Sequence, residues 1–581
     1  MSNFPSSPGV SLNEIDNTLI TQTPSKAGAA IVGPTVKGPV ELPITVTSYS
    51  EYKTMFGGAL LSGSQSYSYF TSIAAQNYFE NGGRSLLVTR VVSGSYTPSI
   101  SEIVTSGSYI VDGYVEDSYS PSDVAFTLET ISEGVIMNSS GSVNTGSGIL
   151  SEGTSDNIRV EVTTVNTGSG TFDLVIRRGD DLENQKIILE SFSKLSLDPN
   201  SPRFIAAVIG DENLSYNSTT NQIESTGNYP NKSRYVRVKS INANNLTPNY
   251  LDSNGQISDN TYPGKLPSPQ NNTFKNATGD IIAGANFYDA INGTNTQGLV
   301  SGNYTDMISL LSNKDDYQYN IMLTPGLTDE YHTPSITGFI QNAQNRGDHL
   351  YVYDTVGYGS GIGSAITQAQ TRNTSYAATY FPWLRTIDNE TGKQVWVPAS
   401  TMMGGVFAFN DKVGNPWFAP AGINRGGLSS VIKPELKLSQ PNRTQLYDSN
   451  INPIMYSLKT KTSVFGQKTL QKAATALDRV NVRRLLIELK SFIGQVSDSL
   501  VFEQNTTETR NRFLATVNPY LDNVKQKQGL YAFKVIMDDT NNTADVIDRN
   551  QLVGQIFIQP SRTAEFINID FVLQPTGVDF E

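Results

Sequence analysis

Between Val482 and Leu500 the apolar residues Val482, Leu485, Leu486, Leu489, Ile493, Val496 and Leu500 recur at i, i+3, i+4 and i+7. That period commits the stretch to a helix with one buried face. Asn481 stands where an N-cap belongs, and Arg484 and Glu488 have the i, i+4 spacing of an ion pair. A second helix is predicted from Asn505, with Glu508 three residues on as a capping box. Phe513, Val517, Leu521 and Val524 line it, Pro519 kinks it and Gly529 ends it, while its outer side offers Arg510, Arg512, Lys525 and Lys527. Strand-like runs follow at 530–537, 552–559 and 564–573, with turn residues from Asp538 to Asn542 between the first two. The last run is apolar for a terminus: Phe566, Ile567, Ile569, Phe571 and Leu573. A strand of that kind must join a sheet, in its own subunit or in a neighbour's.

The segment from Lys459 to Lys490 carries eight cations against two carboxylates, in a chain of net charge −12. A local reversal of this size reads as a surface for an acidic partner, with a solvated helix face as the competing reading. The overall acidity excludes a nucleic-acid coat protein, whose footprint is basic. With no cysteine, disulfides, thiolate nucleophiles and Cys-based metal sites are all excluded. No apolar run of about 18 residues occurs, so no membrane insertion is expected. The first residues lack the basic and apolar regions of a signal peptide.

A chain of 581 residues is expected to hold three or four domains. Residues 1–20 read as an extended arm around Val10, Leu12 and Ile15. Residues 21–92 alternate strand, helix and strand as the first part of an α/β middle domain. Ser, Thr and Gly then dominate, and 93–200 reads as an inserted, protruding β-rich domain. Residues 201–433 read as the second part of the middle domain, with long surface loops over 211–280 and core strands at 319–323, 348–353, 376–383 and 395–398. A C-terminal core domain (434–562) and a strand arm (563–581) complete the chain. The fold class expected is multidomain α/β and α+β.

No catalytic constellation emerges. The two histidines, His332 and His349, form no zinc motif, and no nucleophile elbow or Gly-x4-Gly-Lys-Ser/Thr loop occurs. The glycines from Gly357 to Gly363 have the wrong spacing for a dinucleotide fingerprint and read as a flexible loop. Asp315-Asp316 and Asp538-Asp539 read as turn caps, and Trp383, Trp396 and Trp417 as core. Enzymatic activity, cofactor and metal are therefore not expected.

Short motifs nevertheless recur in a familiar order. They are Pro8-Gly9-Val10 with Glu14, Gly33-Pro34, Gly38-Pro39-Val40 and Phe56-Gly57 near the N-terminus. Tyr380-Phe381-Pro382-Trp383, Val397-Pro398-Ala399-Ser400, Gly404-Gly405, Asp411 and Ala419-Pro420-Ala421-Gly422 follow in the middle. Ile451-Asn452-Pro453-Ile454, Asn481-Val482-Arg483-Arg484-Leu485, Val501-Phe502-Glu503, Asn505 and Ala564-Glu565-Phe566-Ile567 close the series. Together they resemble the contractile tail sheath family of bacteriophages. The match is poorest over 93–280. Val464-Phe465 replaces the family's usual Val-Trp, and Phe407-Ala408-Phe409 its Ala-Arg.

The resemblance implies a structural subunit that polymerises as stacked hexameric rings around a tail tube. Tail terminator and baseplate proteins would meet its ends, without direct nucleic-acid contact. It would be a virion component assembled in the host bacterial cytoplasm. The arms near Val10, Leu12 and Ile15, and at Phe566, Ile567, Ile569, Phe571 and Leu573, would add to neighbours' sheets in non-closing head-to-tail contacts. With no nucleotide site, contraction would draw on a preference of ~2–5 kcal/mol per subunit for the contracted packing. The family's tube-contacting helix directs attention to Arg510, Arg512, Lys525 and Lys527, then to Lys468, Lys472 and Arg479, while Arg483 and Arg484 are expected in buried pairs. The alternatives are the sheath of a genome-free injection particle of tailocin type and, from another class, a secreted β-rich adhesin. A hydrolase is disfavoured by the missing nucleophile and base.

Overall fold

A computed structural model of the chain describes residues 28–62, 65–105, 110–111, 114–115, 119–139, 143–144, 149–280, 288–458 and 461–566. Its centre is an eight-stranded sheet in the order 43–46, 86–90, 29–33, 321–328, 350–354, 377–381, 452–457, 461–464. The six inner strands run parallel, and an antiparallel strand closes each edge.

Parallel strands buried on both faces must be apolar at consecutive positions, and these are. Ile31, Val88, Leu323 and Val352 point to one face, where helices Phe70–Glu80 and Ala399–Val413 cover them with Ile73, Tyr78, Met402 and Phe407. Their neighbours Ala30, Leu87, Met322 and Tyr351 point to the other, against Ile336, Phe339 and Ile340 of helix Asp329–Arg346. The two helices on the first face approach closely because Gly404 and Gly405 carry no Cβ. One would stand 2.8 Å from Leu323 and 2.1 Å from Asn77 Oδ1, respectively.

Residues between 98 and 274 build a separate apolar core. A three-stranded sheet (236–241, 124–133, 98–104) and a six-stranded sheet share it, with Phe126 and Phe172 stacked at 5.6 Å. The long loops expected over 211–280 are in part strands. Val236–Ile241 and Gln270–Thr273 pair with Val124–Glu133 and Ile158–Asn166, so chain far apart in sequence completes these sheets. Their Asn- and Ser-rich composition hid this, because half-exposed strands tolerate polar residues. Similarly, Gln394–Val397 lies outside the central sheet, in a small sheet with Leu384–Ile387 and Val431–Pro434. A short helix of five residues, Ile205–Ile209, packs into the core around Phe126 and Phe172.

The glycine-rich segment after Asp354 is pinned. Glu330 accepts from Gly357 N (3.0 Å) and Ser360 Oγ (2.9 Å), and Glu435 accepts from Gly359 N (2.9 Å). The backbone donors that a phosphate would use are held by carboxylates. One position earlier in function, Asp354 ends a core strand and accepts from Ser400 N (3.0 Å) and Ser400 Oγ, tying the strand to the first turn of helix Ala399–Val413. Burial pushes this carboxyl up to about 7, against the hydrogen bonds from Ser400 and Ala399. A folded-state pKa above the ordinary value stabilises the fold at acid pH, and that contribution is lost as pH rises towards 7. In Asp354→Asn the pH-dependent part disappears. Thermal melting from pH 4 to 8 is expected to show wild type losing stability relative to the variant as pH rises; parallel profiles would refute this.

Candidate functional site

The helix read from the apolar stripe spans Val480–Asp498, and the next spans Thr507–Gln526. Three details differ from expectation. Asn481 lies inside the first helix and donates to Trp417 O (3.3 Å), with Arg479 at the N-cap position. The second helix is capped by Thr506, whose hydroxyl accepts from Thr509 N; Asn505 instead reaches Gln551 O (2.8 Å), so no Asn505–Glu508 capping box forms. The helix runs unbroken through Pro519, and its end turns on Gln528 (φ 61°), with Gly529 N bonded back to Val524 O (2.8 Å).

Arg484 does not pair with Glu488. Its guanidinium reaches Asp411 with two bonds (2.9 and 2.6 Å) and lies 4.9 Å over the Phe407 ring. Arg483 donates to Ser375 Oγ and stacks 3.9 Å over Tyr376. Both are buried, as expected of structural pairs. A surface pair four residues away offers only about 0.2–0.5 kcal/mol, so the bidentate partner wins.

The two helices enclose Leu485, Leu489, Phe513, Val517 and Leu521, and onto this core packs a β-hairpin of Leu530–Ile536 and Gln555–Pro560. Phe533, Val535, Ile556 and Ile558 face the helices, while Tyr531 and Phe557 stand more than half exposed. The hairpin is a sheet of two strands whose outer edges are unpaired among the described residues. Beyond Pro560 the chain leaves the ladder, and Glu565 arrives in a groove of about 750 Å³ beside the central sheet. There Arg479 Nε (2.8 Å), Gln467 Nε2 (2.9 Å) and Tyr447 Oη donate to its carboxylate. Burial alone would raise this carboxyl, but the hydrogen bonds from Tyr447, Arg479 and Gln467 and the Arg479 charge hold it below the ordinary value.

The seven candidate cations separate by environment. Arg510, expected on the outer side, is buried and paired with Asp539 at 2.7 Å, because its position faces the 538–542 turn. Arg479 is bound to Glu565 and Asp478; Lys468 bonds Tyr447 O (2.8 Å) and lies over that ring. Arg512 is exposed with a loose contact to Glu503 (3.4 Å). Lys472, Lys525 and Lys527 are exposed and make no ion pair among the described residues. Of the arm residues only Phe566 is described; Val10, Leu12, Ile15, Ile567, Ile569, Phe571 and Leu573 lie outside the described residues. The Glu565 contacts were missed, although Ala564-Glu565-Phe566 had been singled out, because three donors from three distant segments leave no local spacing.

Nothing here resembles a reaction centre. His332 is buried, its Nδ1 accepting from Thr328 N (3.1 Å) and its Nε2 facing Asn292 O (3.1 Å). His349 is buried between Asp348 and the Tyr319 ring. Among the described residues no group of three or more His, Asp or Glu has the arrangement to hold a metal, and no helix is long and apolar enough to cross a membrane.

Residues 472–574, which include both helices and the hairpin, match the phage tail sheath C-terminal domain family. The tail sheath protein of Vibrio phage KVP40 is 35% identical over 218 residues, and that of Enterobacteria phage T4 is 39% identical over 186. The C-terminal region is a phage tail sheath domain. The matched stretches cover 38% and 32% of this chain, and 32% and 28% of those relatives' lengths. The sheath tail protein of Listeria innocua shares the fold, with a TM-score of 0.52 at 8% identity over 92% of this chain and 95% of that one. Within this sheath domain, Arg484→Ala is expected to cost about 2–3 kcal/mol in urea unfolding, since Asp411 is partly solvated. Arg512→Ala, at an exposed pair, should cost less than ~1 kcal/mol. Equal effects would refute the assignment.

Proposed function

We propose that this chain is the structural subunit of a contractile tail sheath, polymerising as stacked hexameric rings around a tail tube and driving it through the host envelope by repacking. One observation carries the reading: the hairpin Leu530–Ile536/Gln555–Pro560 has one face seated on the helices and two edges that are unpaired among the described residues. A two-stranded ribbon is marginal in water and an open edge is a template for another chain. Arms from neighbouring subunits, residues near Val10 to Ile15 and the run beyond Phe566, would fill these edges. Backbone ladders of this kind hold while subunits rotate about the arms, and their head-to-tail geometry grows a helical tube. The subunit thus works as a lattice element of the virion, meeting terminator and baseplate proteins at the tail ends. Residues 93–200, with the later strands that complete their sheets, form its projecting domain.

Lys525, Lys527, Lys472 and Arg512 form the surface offered to an acidic tube wall, with Arg510, Lys468 and Arg479 supporting from internal pairs. Charge reversal of Lys525 and Lys527 to Glu should weaken co-sedimentation with isolated tubes and flatten its salt dependence; unchanged binding across a salt series would reject these lysines. Negative-stain microscopy tests the larger claim. The intact chain should form long hollow polymers, and chains lacking residues 1–20 or 562–581 should stay dispersed. Normal tubes from both truncations would overturn arm exchange.

A further inference from the structure

We propose that Tyr447, Gln467 and Arg479 form a clasp that anchors the C-terminal strap to its own subunit through Glu565 and fixes the point from which the exchanged arm departs. The inference rests on the arm-exchange reading above and adds a residue-level anchor to it.

Residues 561–566 belong to no sheet. Ser561 N still bonds Gly529 O (3.1 Å), and four residues later the strap is held by side chains. Gln467 Nε2 bonds both Thr563 Oγ1 (2.6 Å) and Glu565 Oε1 (2.9 Å). Arg479 Nε shares Oε1, and Tyr447 Oη takes Oε2. The Tyr447 ring is itself fixed, with Lys468 Nζ 4.2 Å and the Arg479 guanidinium 5.9 Å from its centre. Phe566, the last described residue, touches that ring edge-on at 6.5 Å and is otherwise 84% exposed.

The three donors come from separate elements. Tyr447 is on helix Gln440–Asp448, Gln467 follows the edge strand Lys461–Val464, and Arg479 precedes helix Val480–Asp498. Charge-assisted bonds are about twice as strong as neutral ones, and here they replace a missing backbone ladder. Tension on the arm therefore passes into the edge of the central sheet and the start of helix Val480–Asp498, not into the two-stranded hairpin. Without Glu565 the departure point would slide back towards Ser561, and the arm would meet its neighbour with several more loose residues.

The test uses the full-length chain. Glu565→Ala should raise the critical concentration for polymer formation about tenfold, with Glu565→Gln intermediate. The charge exchange Glu565→Arg with Arg479→Glu should recover most of the loss, which a purely steric role would not allow. In the monomer, hydrogen exchange in Glu565→Ala should rise across 561–566 alone; a global rise would overturn the clasp and mark Glu565 as part of the folding core. An unchanged critical concentration, while the chain lacking 562–581 fails to polymerise, would overturn the clasp and leave arm exchange standing. Polymerisation of that truncated chain would remove the arm reading itself.

Discussion

The start of helix Val480–Asp498 is held by three arginines, and the orientation of the C-terminal region follows from them. Cations in a first helical turn oppose the helix dipole, so they are stable there only with specific partners. Arg479 has Glu565, Arg483 has Ser375 and the Tyr376 face, and Arg484 has Asp411 in a bidentate fork. Each partner sits on a different part of the molecule: the strap, the segment leading into a central strand, and the helix over the sheet. One helical turn thereby sets the angle at which the helical pair leaves the central sheet.

That angle matters because the helical pair carries the open hairpin. Its inner face is buried by Phe513, Val517 and Leu521, while its edges have no partner among the described residues. The central sheet, by contrast, has its inner parallel strands paired on both sides and covered by helices on both faces, with a short antiparallel strand at each edge. The molecule is thus stiff where strands are enclosed by helices on two faces and incomplete where a ribbon stands alone.

Charge is arranged along the same division. Arginines cluster at the junction and are consumed there by buried carboxylates, hydroxyls and rings, whereas lysines at 525 and 527 remain in solvent. The delocalised guanidinium forks and stacks where planar partners exist; the ammonium groups stay hydrated. A count of basic residues in the 459–490 segment therefore overstates its free charge, since Arg479, Arg483 and Arg484 are all engaged.

The sequence by itself determined the helices at 480–498 and 507–526, the two hairpin strands and most inner strands of the central sheet. Those features are written as local period, cap and composition, which a single chain segment displays. Tertiary structure alone decided that Arg484 prefers Asp411 to Glu488, that Arg510 turns inward to Asp539, and that Val236–Ile241 and Gln270–Thr273 complete distant sheets. It also decided that Tyr447, Gln467 and Arg479 meet at Glu565. A strand's partner and a charge's partner are settled by which surfaces meet after collapse, and a bidentate fork to a buried guanidinium outweighs the small preference between residues four apart.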